Sequence, residues 1–350
     1  MKQKRSILLI YILIAIFLFG CVNKPIQNPV NEAEFISGSE FLLDTIVNIK
    51  IYDYKDEAIF EEVFEYIQTL ENILSVHVKG SDLWNIKENA GKKWTTVSAE
   101  TMEIFKRSIE MSVISEGLFD ITSGPLIDLW DIDTPNGYYP SDIERKYAMS
   151  FINYKDIEID EKNNKIYLKK EGMNANLGAI AKGFIADKVK EFLKERGVNK
   201  AIINLGGNIL LVGNKPDGTD FRIGVQDPDA SRGKYLGVLS ITDKSIVSSG
   251  VYERYFYHEG KKYHHILNPF TGFPQENNLK GVSIISSLST DGDAFSTTVF
   301  LMGIEKGMQL VESTEGVEAI FVTEDNKLYF SSGLRDIFEL APDSEYTIVE

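Results

Sequence analysis

An α+β fold is predicted for this chain, on three observations. Helical and extended segments are mixed along the sequence, without the regular strand–helix alternation that builds a parallel sheet. Strand-like segments crowd into the second half. Near the start, Ile59, Phe60, Val63, Phe64, Ile67, Leu70 and Leu74 recur at helical spacing, which marks an amphipathic helix from about Asp56. With 350 residues and 43% hydrophobic content, the chain is long enough for a substantial core in one large domain or two.

The elements follow in order. Residues 41–52 (FLLDTIVNIKIY), rich in β-branched and aromatic side chains, predict one strand ahead of that helix. Ser98 as N-cap and Gly117 as C-cap bracket a second helix. The run around 131–147, with Pro135, Gly137 and Pro140, reads as a surface excursion. A third helix begins near Gly178, turns Ile185, Val189 and Phe192 inward, and stops at Gly197. Short strands at 201–204 and 208–212 are joined by a glycine pair, and further strands are expected at 221–226, 235–242 and 245–249. Strands at 252–258 and 262–267 flank a turn at HEGK, 258–261. A strand at 279–285, a helix at 293–301, and a closing hairpin of 317–323 with 327–331 complete the pattern. No internal repeat or low-complexity tract interrupts it.

Charge and the N-terminus bound the setting. With 37 basic against 52 acidic residues the net charge is −15, so the surface repels phosphate backbones and nucleic acid is not an expected partner. Lys2, Lys4 and Arg5 precede an apolar run from Ile7 to Phe19 that ends at Gly20-Cys21. Such a run is short for a hydrocarbon core of roughly 30 Å, and fits the apolar region of a signal peptide over residues 1–20. Cys21 is the chain's single cysteine, so no intramolecular disulfide can form. Leu18-Phe19-Gly20-Cys21 resembles a bacterial lipobox, which implies lipidation at Cys21, attachment to the cell membrane, and a body outside the cytoplasm. An uncleaved anchor helix is the alternative. Residues 21–35, with Pro25 and Pro29, read as a polar tether to a domain at 36–340.

Three clusters carry oxygen- or nitrogen-bearing chemistry. In GDAFSTTVFLMG (292–303), Asp293, Ser296 and Thr297 stand three and four residues apart near a helix start. Side chains so spaced converge on one face and suit a hard cation such as Mg²⁺. The competing reading makes Asp293 an N-cap and lets the hydroxyls bond back to their own helix. An EF-hand beginning at Asp291 fails, because Phe295 and Met302 fall where oxygen ligands are required.

Residues 175–183 (ANLGAIAKG) place small residues and a helix N-terminus where backbone N–H groups could meet phosphate. No Lys-Ser/Thr pair follows, so this is not a Walker A loop. LGGN at 205–208 lacks the third glycine and following helix of a dinucleotide fingerprint. In YHHILNPFTGFP (263–274), adjacent His264 and His265 would point to opposite faces of a strand. Zinc is disfavoured, since no ligand stands at the usual spacing to complete a set with them. One imidazole, titrating near pH roughly 6.5, is a natural acceptor for a hydroxyl proton.

Taken together, LFDITSGPL (118–126), ANLGAIAKG, INLGGN (203–208), SSGVYERYF (248–256), YHHILNPFTGFP and GDAFSTTVFLMG occur in one order. That order resembles the ApbE family of FAD:protein FMN transferases across roughly residues 40 to 335. The resemblance implies an α+β fold with FAD in a cleft between two subdomains. It implies Mg²⁺ at the pyrophosphate, and transfer of FMN to a threonine of an acceptor flavoprotein through a phosphoester, releasing AMP. By motif, Asp293 and Thr297 are the implied Mg²⁺ ligands, with Ser296 where some members place an aspartate, and Ala179 meets the metal through its carbonyl. Leu43, His77, Leu118, Phe119, Asp120, Asn176, Lys182 and Leu267 fall at flavin-contacting positions, and His265 at that of the base. Asn176 and Asn268 replace aspartates common in the family.

The chemistry agrees with this assignment. Splitting a pyrophosphate needs charge neutralisation at its oxygens, and in-line attack needs positioning and a base. Two rivals remain: a hydrolase releasing FMN and AMP from FAD, and a non-catalytic FAD-binding lipoprotein.

Overall fold

A computed structural model describes residues 34–132 and 137–349. The expected signal peptide, Cys21 and the tether up to residue 33 lie outside the described residues, as does Pro135.

The chain opens with a hairpin of β1 (Ile36–Leu42) and β2 (Thr45–Ile51), closed by the pair Leu42 and Thr45. This corrects the single strand expected over 41–52. The reversal rests on Leu43 and Asp44, both at φ +56°. A two-residue turn of that hand is normally announced by Asn-Gly or Asp-Gly, and leucine gives no such signal.

The expected helix follows as α1 (Ile59–Leu74), with Ile59, Phe60, Val63, Ile67, Leu70 and Leu74 buried. Helix α2 (Asp82–Asn89), N-capped by Ser81, was not marked by periodicity because only Leu83 and Ile86 are buried on it. Strand β3 (Thr95–Thr96) leads to α3 (Ala99–Ile114), where the Ser98 hydroxyl accepts from the Thr101 N–H as its sequence position predicts. Helices α4 (Gly124–Trp130) and α5 (Asp142–Met149) come next, the latter opened by a Ser141/Glu144 capping box inside the stretch expected to be irregular. Strands β4 (Ile157–Asp160) and β5 (Lys165–Leu168) form a small sheet with β3.

The second half carries α6 (Ala181–Glu195), then β6 (Ala201–Leu205), β7 (Asn208–Val212), β8 (Phe221–Gln226), β9 (Tyr235–Ile241) and β10 (Ser245–Gly250). The hairpin of β11 (Tyr255–His258) and β12 (Lys261–His264) precedes β13 (Leu279–Ser286). Helix α7 (Ser289–Glu312) is longer than the expected 293–301 and kinks at Gly303, whose φ is +77°. Strands β14 (Glu318–Thr323), β15 (Lys327–Phe330), β16 (Phe338–Leu340) and β17 (Thr347–Ile348) finish the chain.

Nine strands build the main sheet in the order β1-β2-β6-β7-β10-β13-β14-β15-β17. Its two faces are both apolar, and β14 shows how one strand serves both. Ala319 and Phe321 join the larger core with α1, α6 and α7, whereas Ile320 and Val322 join a second core against the β16-β9-β8 sheet. Alternate side chains on a strand point to opposite faces, so a continuous apolar run here means burial on both sides. A third, smaller cluster centres on buried Trp130, ringed by Tyr139, Phe256, Tyr263 and Phe273. The Trp130 Nε1–H donates to the Gly272 carbonyl at 2.8 Å, which pins the 268–274 turn to α4.

Candidate active site

Helices α6 and α7 cap each other. Neither helix has a side-chain cap from its own N-cap residue, Ile180 or Leu288. Instead Asp293 Oδ2, on α7, accepts from the Gly183 N–H of α6 at 2.9 Å, and the Lys182 N–H also bonds this carboxylate. In return Asp187, on α6, accepts from the N–H groups of Ser289 and Thr290 at 2.9 and 2.8 Å and from the Thr290 hydroxyl at 2.6 Å. Two of the unpaired N–H groups that begin each helix are thereby satisfied across the interface. Asp293 is thus a cap after all, but of the neighbouring helix rather than its own. Gly183 permits the approach: a Cβ there would lie 2.1 Å from the Ser289 carbonyl oxygen and 2.8 Å from Asp293 Cβ.

Burial raises the Asp293 carboxyl above the usual carboxylate range, opposed by the Lys182 charge and by the two N–H donors. The same cause acts on Asp187, against its own hydrogen bonds. One turn further along α7, Ser296 is fully buried while Thr297 is half-buried. The Ser249 hydroxyl, on β10, lies 2.7 Å from Ser296 Oγ and 3.4 Å from Thr297 Oγ1.

Ahead of α6, Asn176 joins this region to the 118–122 segment. Its N–H donates to the Ile121 carbonyl at 2.7 Å, and its side-chain Oδ1 accepts from the Gly178 N–H at 2.8 Å. Asparagine fills that turn-forming role as well as the aspartate expected there. Ala179 and Lys182 flank the same loop and are half-buried. Asp120 is committed internally. Its oxygens accept from the Thr122 N–H and hydroxyl at 2.8 and 2.6 Å and from the Tyr154 N–H at 2.8 Å, and burial raises its pKa against those bonds. Phe119 is buried beside it, and Leu118 is half-buried.

His264 and His265 occupy different environments. His264 is buried edge-on against Phe300 of α7, their centroids 5.9 Å apart. Its Nε2 is 3.0 Å from the Gln275 carbonyl, and its Nδ1 accepts from the Ile266 N–H at 3.3 Å. That pattern demands the neutral ring protonated at Nε2, since a carbonyl only accepts and an N–H only donates. Burial accordingly lowers its pKa to about 4. His265, just past β12, has Nδ1 3.2 Å from the Arg254 carbonyl. By the same logic Nδ1 carries the proton, and the basic lone pair is on Nε2.

The Arg254 guanidinium also reaches the first hairpin, 4.0 Å from the exposed Asp44 carboxylate next to Leu43. Thr45 packs on the Gly206 turn of LGGN, where a Cβ on Gly206 would come within 2.3 Å of the threonine hydroxyl. Leu43 holds a left-handed conformation that costs a non-glycine residue about 1–2 kcal/mol. Leu43→Asn is therefore expected to raise Tm by about 2–4 °C while weakening any flavin contact at this position. Thermal denaturation and flavin titration check it, and an unchanged or lower Tm would remove the strain argument.

Leu267 bridges Pro274 at the mouth of the turn that follows. Asn268 holds that turn: Oδ1 accepts from the Phe270 and Thr271 N–H groups at 2.8 and 3.3 Å, and Nδ2 donates to Gln275 Oε1 at 2.7 Å. The amide donor is something an aspartate lacks, so the departure from the family pattern has a local partner. A cleft of about 430 Å³ borders the turn, lined by Tyr139, Tyr263, Asn268, Phe273 and Gln275 among others, and Asp293, Thr297 and Lys182 do not line it. His77 sits in the exposed connection between α1 and α2, its backbone N–H donating to Ser75 Oγ at 3.3 Å. Among the described residues no hydrogen bond or ring contact ties His77 to the Asp293 group.

Sequence reasoning did not single out Ser249 or Asp187, and it read Gly183 only as one small residue of a ligand-approaching loop. The motif SSGVYERYF contains Ser249, but a serine on a strand carries no signal until the strand's partner is known.

These features have counterparts. A sequence model of the ApbE family matches residues 43–321. An FAD:protein FMN transferase of Klebsiella pneumoniae (strain 342) is 35% identical over 314 residues, spanning 90% of this chain and 97% of its own. One of Treponema pallidum (strain Nichols) is 31% identical, spanning 86% and 88%. Among solved structures, the ApbE protein of Thermotoga maritima superposes with a TM-score of 0.76 at 28% identity, covering 88% of this chain and 97% of that one. The flavin transferase ApbE of Vibrio cholerae does so with a TM-score of 0.78 at 25% identity, covering 87% and 99%. A match that runs from the first hairpin to β14 and includes the six ordered motifs between residues 118 and 303 leaves one conclusion: this chain belongs to the ApbE family.

Proposed function

We propose that this chain is an Mg²⁺-dependent FAD:protein FMN transferase, which attaches FMN through a phosphoester to a threonine of another protein and releases AMP. The observation that carries this reading is the similarity to a transferase across 97% of that relative's length.

The residues at the α6–α7 junction fit the metal. Asp293, Thr297 and the Ala179 carbonyl offer only hard oxygen donors, whereas Ser296, expected as a further ligand, is fully buried with its hydroxyl bonded to the Asp293 carbonyl and to Ser249. Among the described residues no group of three or more His, Cys, Asp or Glu could form a closed cage. Mg²⁺ commonly binds in this manner, through one or two carboxylates with the substrate's phosphates. When bound, it neutralises charge on the pyrophosphate oxygens.

The chain's own groups supply the rest. Asp293 is held in place by the Gly183 N–H, and Lys182 adds positive charge beside it. His265, its tautomer set by the Arg254 carbonyl, takes the acceptor threonine's proton at Nε2. The threonine oxygen then bonds to the FMN phosphorus as the bond to the AMP oxygen breaks. In this reading Leu43, His77, Leu118, Phe119 and Leu267 would hold the flavin, in a cleft between two lobes. Asp120 serves it indirectly, by fixing the 118–122 backbone, and Asn176 ties that backbone to the metal loop. Incubation with FAD, Mg²⁺ and a threonine-bearing acceptor flavoprotein is expected to add the mass of FMN to the acceptor. Release of FMN and AMP with no labelled acceptor would favour a pyrophosphatase instead, and no turnover a binding protein.

The reading extends to location: a lipid anchor at Cys21 holds the enzyme on the outer side of the cell membrane, near acceptors there. Among the described residues no helix is long and apolar enough to cross a membrane. A Cys21→Ser chain is expected to leave the membrane fraction. If it stays, with the N-terminus uncleaved, an anchor helix replaces the lipid.

A further inference from the structure

Three hydroxyl groups at the α7–β10 contact form a chain whose direction is fixed by its end. Ser296 Oγ lies 2.8 Å from the Asp293 backbone carbonyl, and a carbonyl can only accept, so the Ser296 proton is used there. The 2.7 Å contact between Ser249 and Ser296 then requires Ser249 to donate. With that proton committed, the 3.4 Å contact between Ser249 and Thr297 requires Thr297 to donate to Ser249. A hydroxyl has one proton and two lone pairs, so each assignment forces the next. Thr297 also differs from its neighbours on the helix. Ser296 and Thr298 bond back to their own helix carbonyls, at 2.8 Å each, while Thr297 turns to β10.

From this geometry we infer that Ser249 is a positioning residue for the metal ligand Thr297, acting at the end of a directed relay from the Asp293 carbonyl through Ser296. The relay holds the Thr297 proton toward β10 and leaves the oxygen's lone pairs on the remaining sides of the hydroxyl. A cation ligand needs that state: a threonine whose proton pointed at the metal would repel it. The inference rests on the Mg²⁺ reading of the site, and gives Ser296 the task of anchoring the relay.

The test is binding of Mn²⁺, a paramagnetic substitute for Mg²⁺, to the full chain with ADP held constant as the pyrophosphate. Free Mn²⁺ is read by electron paramagnetic resonance, without turnover. Ser249→Ala is expected to weaken Mn²⁺ binding about 5–10-fold, the scale of one hydrogen bond. Ser249→Thr, which keeps the hydroxyl, is expected to restore binding to within about twofold on the same scale. Ser296→Ala frees the Ser249 proton to compete for the Thr297 oxygen and is also expected to weaken the metal. The double variant should be no worse than the weaker single one, because the residues act in series. A purely structural role for Ser249 would lower Tm and leave Mn²⁺ affinity unchanged, which would overturn the relay alone. Absence of Mn²⁺ binding by the unaltered chain would overturn the magnesium reading and the relay with it.

Discussion

An Asp293→Asn chain is expected to fold with nearly unaltered stability and to transfer FMN at least about 10²–10³-fold more slowly, the scale on which loss of a charge-stabilising group is felt. The contrast with Asp293→Ala is the informative part. Alanine leaves the Gly183 and Lys182 N–H groups buried without an acceptor, at a cost of about 1–3 kcal/mol. Asparagine keeps one acceptor oxygen for them and removes only the negative charge. Stability lost in alanine and kept in asparagine, with activity absent from both, assigns the carboxylate two separable roles. Guanidinium denaturation and single-turnover transfer measure them. Wild-type transfer by Asp293→Asn would move the metal elsewhere.

His265→Ala is expected to slow transfer about 10²–10⁴-fold while FAD binds nearly normally, because a threonine hydroxyl needs its proton accepted and imidazole contributes little to holding the dinucleotide. His264→Phe should leave the chemical step nearly intact and change the pH dependence of stability instead. The His264 pKa falls from 6.5 to about 4 on folding. Between those values the unfolded chain binds a proton that the folded ring refuses. The associated stability is therefore fully present above pH 6.5 and is lost as the pH falls toward 4, about 3 kcal/mol in all. His264→Phe should flatten that slope, read as urea midpoints across the interval. Equal kinetic losses from the two substitutions, or a greater loss at His264, would remove His265 as the base.

The two histidines also show what was legible and what was not. A motif shared with a family singled out both, and strand alternation predicted different faces for them. Neither reveals that the His264 lone pair is taken by the Ile266 N–H while the Arg254 carbonyl sets the tautomer of His265. The Ile266 N–H is two residues from its ring, but the carbonyls that fix the protonated nitrogens, Gln275 for His264 and Arg254 for His265, each lie eleven residues away and are delivered by the fold.

By itself the sequence determined the α+β class, the long amphipathic α1, the Ser98-capped α3, most strands of the second half and the family. Each is written in local periodicity, capping chemistry or an ordered set of motifs. Tertiary structure alone decided three things. Leu43 takes the first turn position at φ +56° although only Asp44 beside it is a turn-favouring residue, because pairing of β1 with β2 and of β2 with β6 outweighs the local preference of leucine. Asp293 was open between a cap and a metal ligand, and its role as cap belongs to α6, a helix about a hundred residues earlier that only packing brings near. Ser249 entered the site because α7 packs on the sheet against β10, a neighbour no sequence spacing encodes. A side chain's propensity is a property of its own backbone, whereas the direction of a hydrogen bond depends on which groups of opposite kind the fold delivers to it.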